Sequence, residues 1–326
     1  MHIPLSTKIS QRLERRKGGG GRGSSGKSSS RSSSDSGSGC KSFPCRCLSI
    51  ATSSTSFSTP HLVGGKSSAS TYSDGGGKAS KISSGQFAGR SMGGGSRASV
   101  YGTSMYGSGY PGESPSIRGV SDKGFPYYFY PVTWNTSPYP YYPPYLHTSG
   151  EYGGPTNSSR PGGPLMQAAF VSATTGTTLY FVADNSTVSS LLPIVLQNCS
   201  STLVHLDNTT SSSTALPYDA SNASSPLAEE AVQYFRASSA VLTLSGYNNT
   251  VALAANASAG AAPASFPSGA DLALLSCLNY TIGQAILLVD APKGMSVGDI
   301  LKWVSFGVVI LVGLIAGVLK TFCGCG

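Results

Sequence analysis

The sequence predicts an α+β fold: one small disulfide-bonded domain with a mixed sheet and helices on one face. A long disordered Gly/Ser-rich arm precedes it and one transmembrane helix follows it. Three observations lead there. Residues 1–123 carry 17 of the 22 Lys+Arg but only 5 of the 14 acids, and are dominated by Gly, Ser, Lys and Arg. Residues 161–290 alternate strand-like and helix-like apolar spacing and contain one cysteine pair, Cys199 and Cys277. Residues 303–319, WVSFGVVILVGLIAGVL, are uncharged and lie between Lys302 and Lys320.

In chain order, the basic arm (1–123) has few side chains able to form a core. Ordering it would cost about 1–2 kcal/mol of backbone entropy per residue, so roughly 14–120 read as disordered. Residues 124–160 form a Tyr/Pro-rich ribbon. FPYYFYPVTWNTSPYPYYPPY (125–145) is extended and polyproline-like, because proline fixes φ and removes donors, and its rings are expected to pack on the domain rather than stay bare. Residues 161–290 suffice for one small domain. Within it, Thr178–Ala183 reads as a strand and Val188–Cys199 as a helix interrupted by Pro193. Ser225-Pro226 opens a helix with Ala228, Ala231, Val232 and Phe235 on one face. Val241–Leu244 and Val251–Ala254 read as a hairpin around Ser-Gly-Tyr-Asn-Asn. Ser268 and Asp271 form a capping box before helix Leu272–Leu278, and Ala285–Val289 is a last strand. After the linker 291–302, residues 303–319 give ~25 Å of helix at ~1.5 Å per residue, the short end of a bilayer span. The stub 320–326 places Cys323 and Cys325 as candidate palmitoylation sites. A competing reading of the tail is a glycosylphosphatidylinositol signal cut near Gly294, Ser296 or Gly298, against which the two lysines weigh.

Nine of the ten asparagines begin Asn-x-Ser/Thr sequons: Asn135, Asn157, Asn185, Asn198, Asn208, Asn222, Asn248, Asn256 and Asn279; only Asn249 does not. At the local Ser/Thr frequency chance gives about two or three. The middle of the chain is therefore expected to be lumenal or extracellular and glycosylated, with Asn135 the weakest acceptor because Pro138 follows it. Such a compartment lets Cys199 and Cys277 pair, the alternative being two separate buried thiols. MHIPLSTKISQRLERRKGGGG lacks the apolar core of a signal peptide, so the expectation is a start further upstream, or that Cys40–Val63 departs from the natural sequence.

Other motifs carry little. Gly21–Ser28 matches GxxxxGK[ST] and Gly18, Gly20 and Gly23 match GxGxxG, but neither lies between a strand and a helix. Arg15-Arg16 is a dibasic pair of a kind common in basic arms. Cys40, Cys45 and Cys47 with His61 lack zinc spacing. His147 and His205 fit no nucleophile or metal pattern, and the spacing of Asp184, Asp207, Asp219, Glu229 and Glu230 gives no reason for pairing. No enzymatic activity and no cofactor are expected.

FAGRSMGGGSR (87–97), YGTSMYGSGYPG (101–112), NSSRPGGP (157–164), YFRASSAVLTLSGYNNT (234–250) and LLSCLNYTIG (274–283) resemble an uncharacterised glycoprotein family of mushroom-forming, basidiomycete fungi, over roughly residues 87–290. The resemblance implies class and compartment but no activity. The expected partners are the membrane and cell-wall polysaccharide, with Gly313 and Gly317 a candidate self-association face; nucleic acid is not expected. Two rivals remain: a tail-anchored, cytosol-facing protein with a nucleic-acid-binding Arg/Gly/Ser arm, and a carbohydrate-active surface enzyme.

Overall fold

A computed structural model describes residues 53–113, 118–134, 143–146, 149–204, 214–219, 221–222, 224–253, 263–292, 305 and 310. The fold is α+β. Two short antiparallel pairs come first, β1 (Ser56–Ser58) with β2 (Ser68–Ser70) and β3 (Ser80–Lys81) with β4 (Ser91–Met92), followed by the single-turn helix α1 (Ser149–Tyr152). The main body is β5 (Leu165–Val171), β6 (Thr178–Asp184), α2 (Asn185–Asn198), β7 (Leu216–Pro217), β8 (Ala231–Phe235), β9 (Ala240–Leu244), α3 (Thr250–Leu253) and α4 (Leu272–Ala285).

Strands β7-β5-β6-β9-β8 form one sheet in that order, and every pairing is antiparallel. The expected mixed sheet is thereby corrected. The tight turn Ser172–Thr177 and the short loop after Phe235 return the chain beside itself, which accounts for the β5–β6 and β8–β9 pairings.

Period-two alternation gives the sheet two apolar faces. Register places Tyr234, Val241 and Val182 on one face, and Phe235, Ala240, Leu242 and Phe181 on the other. Helix α2 lies against β5 and β6 and packs on α4. The opposite face is covered not by helices but by the Tyr/Pro-rich segment. There Trp134 Nε1 donates to the Tyr234 hydroxyl at 3.0 Å, and the Tyr106 ring centroid lies 5.6 Å from that of Tyr234. The expectation that the ribbon's rings pack on the domain agrees with Phe129 and Trp134, which lie against Arg236 and Tyr234. Phe125 and Tyr127 pack instead on the preceding coil, and 135–142 and 147–148 lie outside the described residues.

Four further sequence expectations are corrected. Ala228, Ala231, Val232 and Phe235 do not share a helix face, because a short 3-10 turn (Ala228–Glu230) gives way to strand β8. Val251–Leu253 does not continue as a strand, since Thr250–Leu253 is helix α3, and β9 pairs instead with β8; Ala254 lies outside the described residues. Ala285 ends helix α4, and the extended segment after it makes one bridge, Leu288 to Ser70, rather than a sheet strand. The strand β5 had no counterpart in the sequence reading, since its buried positions are interrupted by Gln167 and small alanines. Pro193 leaves α2 continuous from Asn185 to Asn198.

The largest correction concerns the arm. Residues 1–52 and 114–117 lie outside the described residues, but 53–113 and 118–123 belong to the folded body. Ala69, Val100, Tyr106, Tyr110 and Val120 are buried in the common core. Full burial of each large side chain contributes about 1.5–3 kcal/mol. The rest of the ordering is carried by main-chain hydrogen bonds to the body, such as Ser70 N to Leu288 O at 2.8 Å and Gly102 N to Tyr234 O at 2.9 Å. Glycine is required where the coil crosses itself. Gly107 (φ 96°) lies against the Gly119 main chain, where any Cβ would overlap.

The coil folds around an unusual centre, the four-residue turn Arg236–Ser239 between β8 and β9, which is buried throughout. Arg236, Ala237 and Ser238 have φ of 53°, 51° and 61°. Such left-handed residues cost roughly 1–2 kcal/mol each without a glycine. Wrapping offsets this. Arg236 N donates to Val100 O at 2.7 Å, Val132 N to Ser238 O at 2.8 Å, and Gly107 N to Ser238 Oγ at 2.9 Å.

Asp271, not Ser268, caps α4, accepting from Ala273 N and Leu274 N at 2.9 Å each. It also accepts from Ser172 Oγ at 2.6 Å, tying the β5–β6 turn to the helix start. That hydroxyl, then the helix amides, hold its carboxyl below the ordinary 3.8. A depressed folded pKa means the cap contributes fully above pH 3.8 and is lost as pH falls through the folded value. Asp271→Ala is expected to cost about 1–2 kcal/mol at pH 7 in urea unfolding. The difference from wild type should narrow below pH 3.8; a pH-independent difference would refute the ionised cap.

Candidate functional site

Exposure sorts the asparagines. Asn157, Asn185, Asn222 and Asn248 are exposed, and Asn198 and Asn279 are half-buried. Asn249, the asparagine outside any sequon, is 0% exposed. It is used internally: its Oδ1 accepts from Ala264 N at 3.1 Å and its N donates to Glu229 O at 2.9 Å. Adjacent Asn248 and Asn249 thus differ in both sequon membership and burial. Asn135, Asn208 and Asn256 lie outside the described residues, as do Cys323, Cys325, Gly313, Gly317, His147, His205 and Asp207.

The hydroxyl positions divide the sequons further. At Asn157-Ser-Ser159 and Asn222-Ala-Ser224 the acceptor sits in a turn, its Oδ1 taking the amide hydrogen two residues on, Ser159 N and Ser224 N, at 2.9 Å in each case. Asn185 opens α2, and its Thr187 is buried, donating to Asp184 Oδ2 at 2.8 Å. Asn198 ends α2 and precedes Cys199. Asn279 lies inside α4, and its Thr281 is 2% exposed.

Cys199 and Cys277 form a disulfide, with Cα atoms 5.8 Å apart. It joins the C-terminal cap of α2 to the second turn of α4. The pairing expected from the sequence is present.

A cleft of about 690 Å³ opens on the coil layer, with Lys81, Arg90, Tyr110, Glu113, Asp122 and Lys123 among its lining. Its charges are largely engaged with one another. Arg90 pairs with Glu151 and, at 3.3 Å, with Asp122, while donating to the Tyr152 hydroxyl at 3.1 Å. Lys123 meets Glu113 at 2.6 Å and lies 4.5 Å from the Tyr110 ring centroid. Burial drives the Tyr152 phenol far above its ordinary pKa, so it stays a neutral hydrogen-bonding group. The arrangement can present donors, acceptors and a ring edge to a polar ligand. Sequence reasoning missed it because Arg90, Asp122 and Glu151 are far apart along the chain and share no motif.

Among the described carboxylates named from sequence, Asp184, Asp219 and Glu230 are each engaged by neighbouring donors. Asp184 is buried and committed to Arg236 at 2.6 Å and to Thr187. Asp219 is held by Ser221. Glu230 accepts from Leu227 N at 3.1 Å and Gly246 N at 2.7 Å, and burial raises its pKa. Among the described residues no group of three or more His, Cys, Asp or Glu could hold a metal ion. Among those same residues no helix is long and apolar enough to cross a membrane; apart from residues 305 and 310, segment 303–319 lies outside them. No family model, no curated protein and no solved structure matches the chain.

Proposed function

We propose that this chain is a non-enzymatic, membrane-anchored glycoprotein of the fungal secretory pathway or cell surface, with residues 303–319 as its anchor. The observation that carries the proposal is the division at Asn248 and Asn249: the sequon asparagine is exposed and its neighbour, outside any sequon, is 0% exposed. A glycan is large and hydrated, so an acceptor must lie at the surface, whereas a structural asparagine is free to be buried. The disulfide supports the same compartment, since such bonds persist where thiols are not kept reduced. The paired charges of the cleft support binding of a polar ligand, cell-wall polysaccharide being the expected class, over acid–base chemistry.

The test is enzymatic deglycosylation of the protein from its native host, followed by peptide mapping. The expected result is a mobility shift with Asn-to-Asp conversion at Asn157, Asn222 and Asn248. Unmodified asparagine at all nine sequons would overturn the lumenal assignment and favour the cytosol-facing rival.

A further inference from the structure

We infer that Asn279 is a conditional glycan acceptor, closed to modification once Cys199 and Cys277 have joined and used only on chains where that bond has failed to form. The inference rests on the lumenal reading above and goes beyond it by ranking the acceptors. Transfer to a sequon requires the asparagine amide and the hydroxyl two residues on to be presented together by an open stretch of chain. In a helix, residues i and i+2 do not face each other. Asn279 and Thr281 both lie within α4. Thr281 is 2% exposed, and its Oγ1 sits 3.7 Å from Cys199 Sγ, so the sequon hydroxyl is packed onto the disulfide itself. The Asn279 Oδ1 is buried too, with no hydrogen-bond partner among the described residues. Exposed neighbours do not rescue the site: Tyr280, 61% exposed, is the sequon's middle residue, so the helix turns the wrong side outward.

Chain order makes the effect one-sided. Asn198 also borders the disulfide, yet its partner cysteine emerges 78 residues after Cys199. At about 5–20 residues per second that leaves roughly 4–16 s in which Asn198 is an open acceptor with nothing to pair against. Asn279 follows Cys277 by two residues, so by the time it reaches the transferase both cysteines are already present. Closure and α4 formation therefore compete with transfer at Asn279 and not at Asn198. Asn279 becomes a marker of chains whose cysteines stayed open.

The experiment measures site occupancy by peptide mapping of the full chain, in wild type, in Cys277→Ser, and in wild type synthesised during a brief pulse of membrane-permeant thiol reductant. Neither the substitution nor the reductant creates or removes a sequon. The expected result is high occupancy at Asn198 and low occupancy at Asn279 in wild type, with a several-fold rise at Asn279 alone in both other conditions. Equal occupancy of Asn279 and Asn198 in wild type, or no rise at Asn279 in either condition, would overturn the inference while leaving the glycoprotein reading intact. Absence of glycan from every sequon in all three samples would overturn both.

Discussion

Arg236→Met is expected to destabilise the protein by about 3–5 kcal/mol, because it strands Asp184 as an unpaired charge in the core. The guanidinium is fully buried and makes four contacts: Asp184 Oδ2 at 2.6 Å, Thr187 Oγ1 at 2.9 Å, Leu287 O at 3.0 Å and Ser239 Oγ at 2.7 Å. It also lies 3.4 Å from the Phe129 ring centroid. These contacts come from the start of α2, the chain after α4, the β8–β9 turn and the aromatic coil. One side chain therefore ties every layer together. Burial weakens the charged form and Asp184 restores it, so the pair holds only while both members are present. The second arm of the test is Asp184→Asn on the Arg236→Met background. Asparagine keeps a good helix cap while removing the orphaned charge, so the double variant should recover much of the lost stability. Urea midpoints of Arg236→Met, Asp184→Asn alone, the double variant and wild type form the cycle. A single-variant loss below about 1 kcal/mol would show that the pair does not hold the layers, since losses that small are ordinary for point substitutions.

Replacing both Cys199 and Cys277 by alanine is expected to cost about 4 kcal/mol. The bond closes a loop with a separation of 78 residues, and in the chain-entropy account the stabilisation grows with the logarithm of loop length. Paired replacement avoids leaving a buried thiol beside Thr281. Set against about 5–15 kcal/mol for a whole domain, the bond is a large share. The loss should appear as a lower urea midpoint, matched by reducing the wild type. Coincident unfolding of oxidised wild type and the double variant would contradict it.

The disulfide and the sequons were legible because each depends on residue type and chain position alone. The helices at 188–199 and 272–278 were legible in outline, since their apolar positions recur at helical spacing and Asp271 marks one start. The segment 228–235 was misread because Ala228, Ala231, Val232 and Phe235 satisfy helical spacing by coincidence. Its decisive feature, pairing with Ala240–Leu244 through a left-handed turn without glycine, leaves no local signal. The coil from 53 to 123 was misread for another reason. Its buried residues, such as Ala69, Val100 and Tyr106, follow no period, because they fill gaps in a body built elsewhere in the chain. Composition measures how much a segment can bury by itself and is blind to what it borrows. The cleft was equally illegible, since Arg90 meets Glu151 only after both have been placed by the coil.

The wrapped turn at Arg236–Ser239 also sets the tempo of assembly. Val100, Gly107 and Ser108 are translated more than a hundred positions before the residues they enclose, so these three have no turn to close upon until the hairpin arrives. Long-range closure of this kind is slow. A hydrophobic segment kept waiting that long would invite aggregation. One made largely of glycine and serine waits in solvent without harm, and its poverty in apolar residues is then the property that lets the last-made hairpin organise the first-made chain.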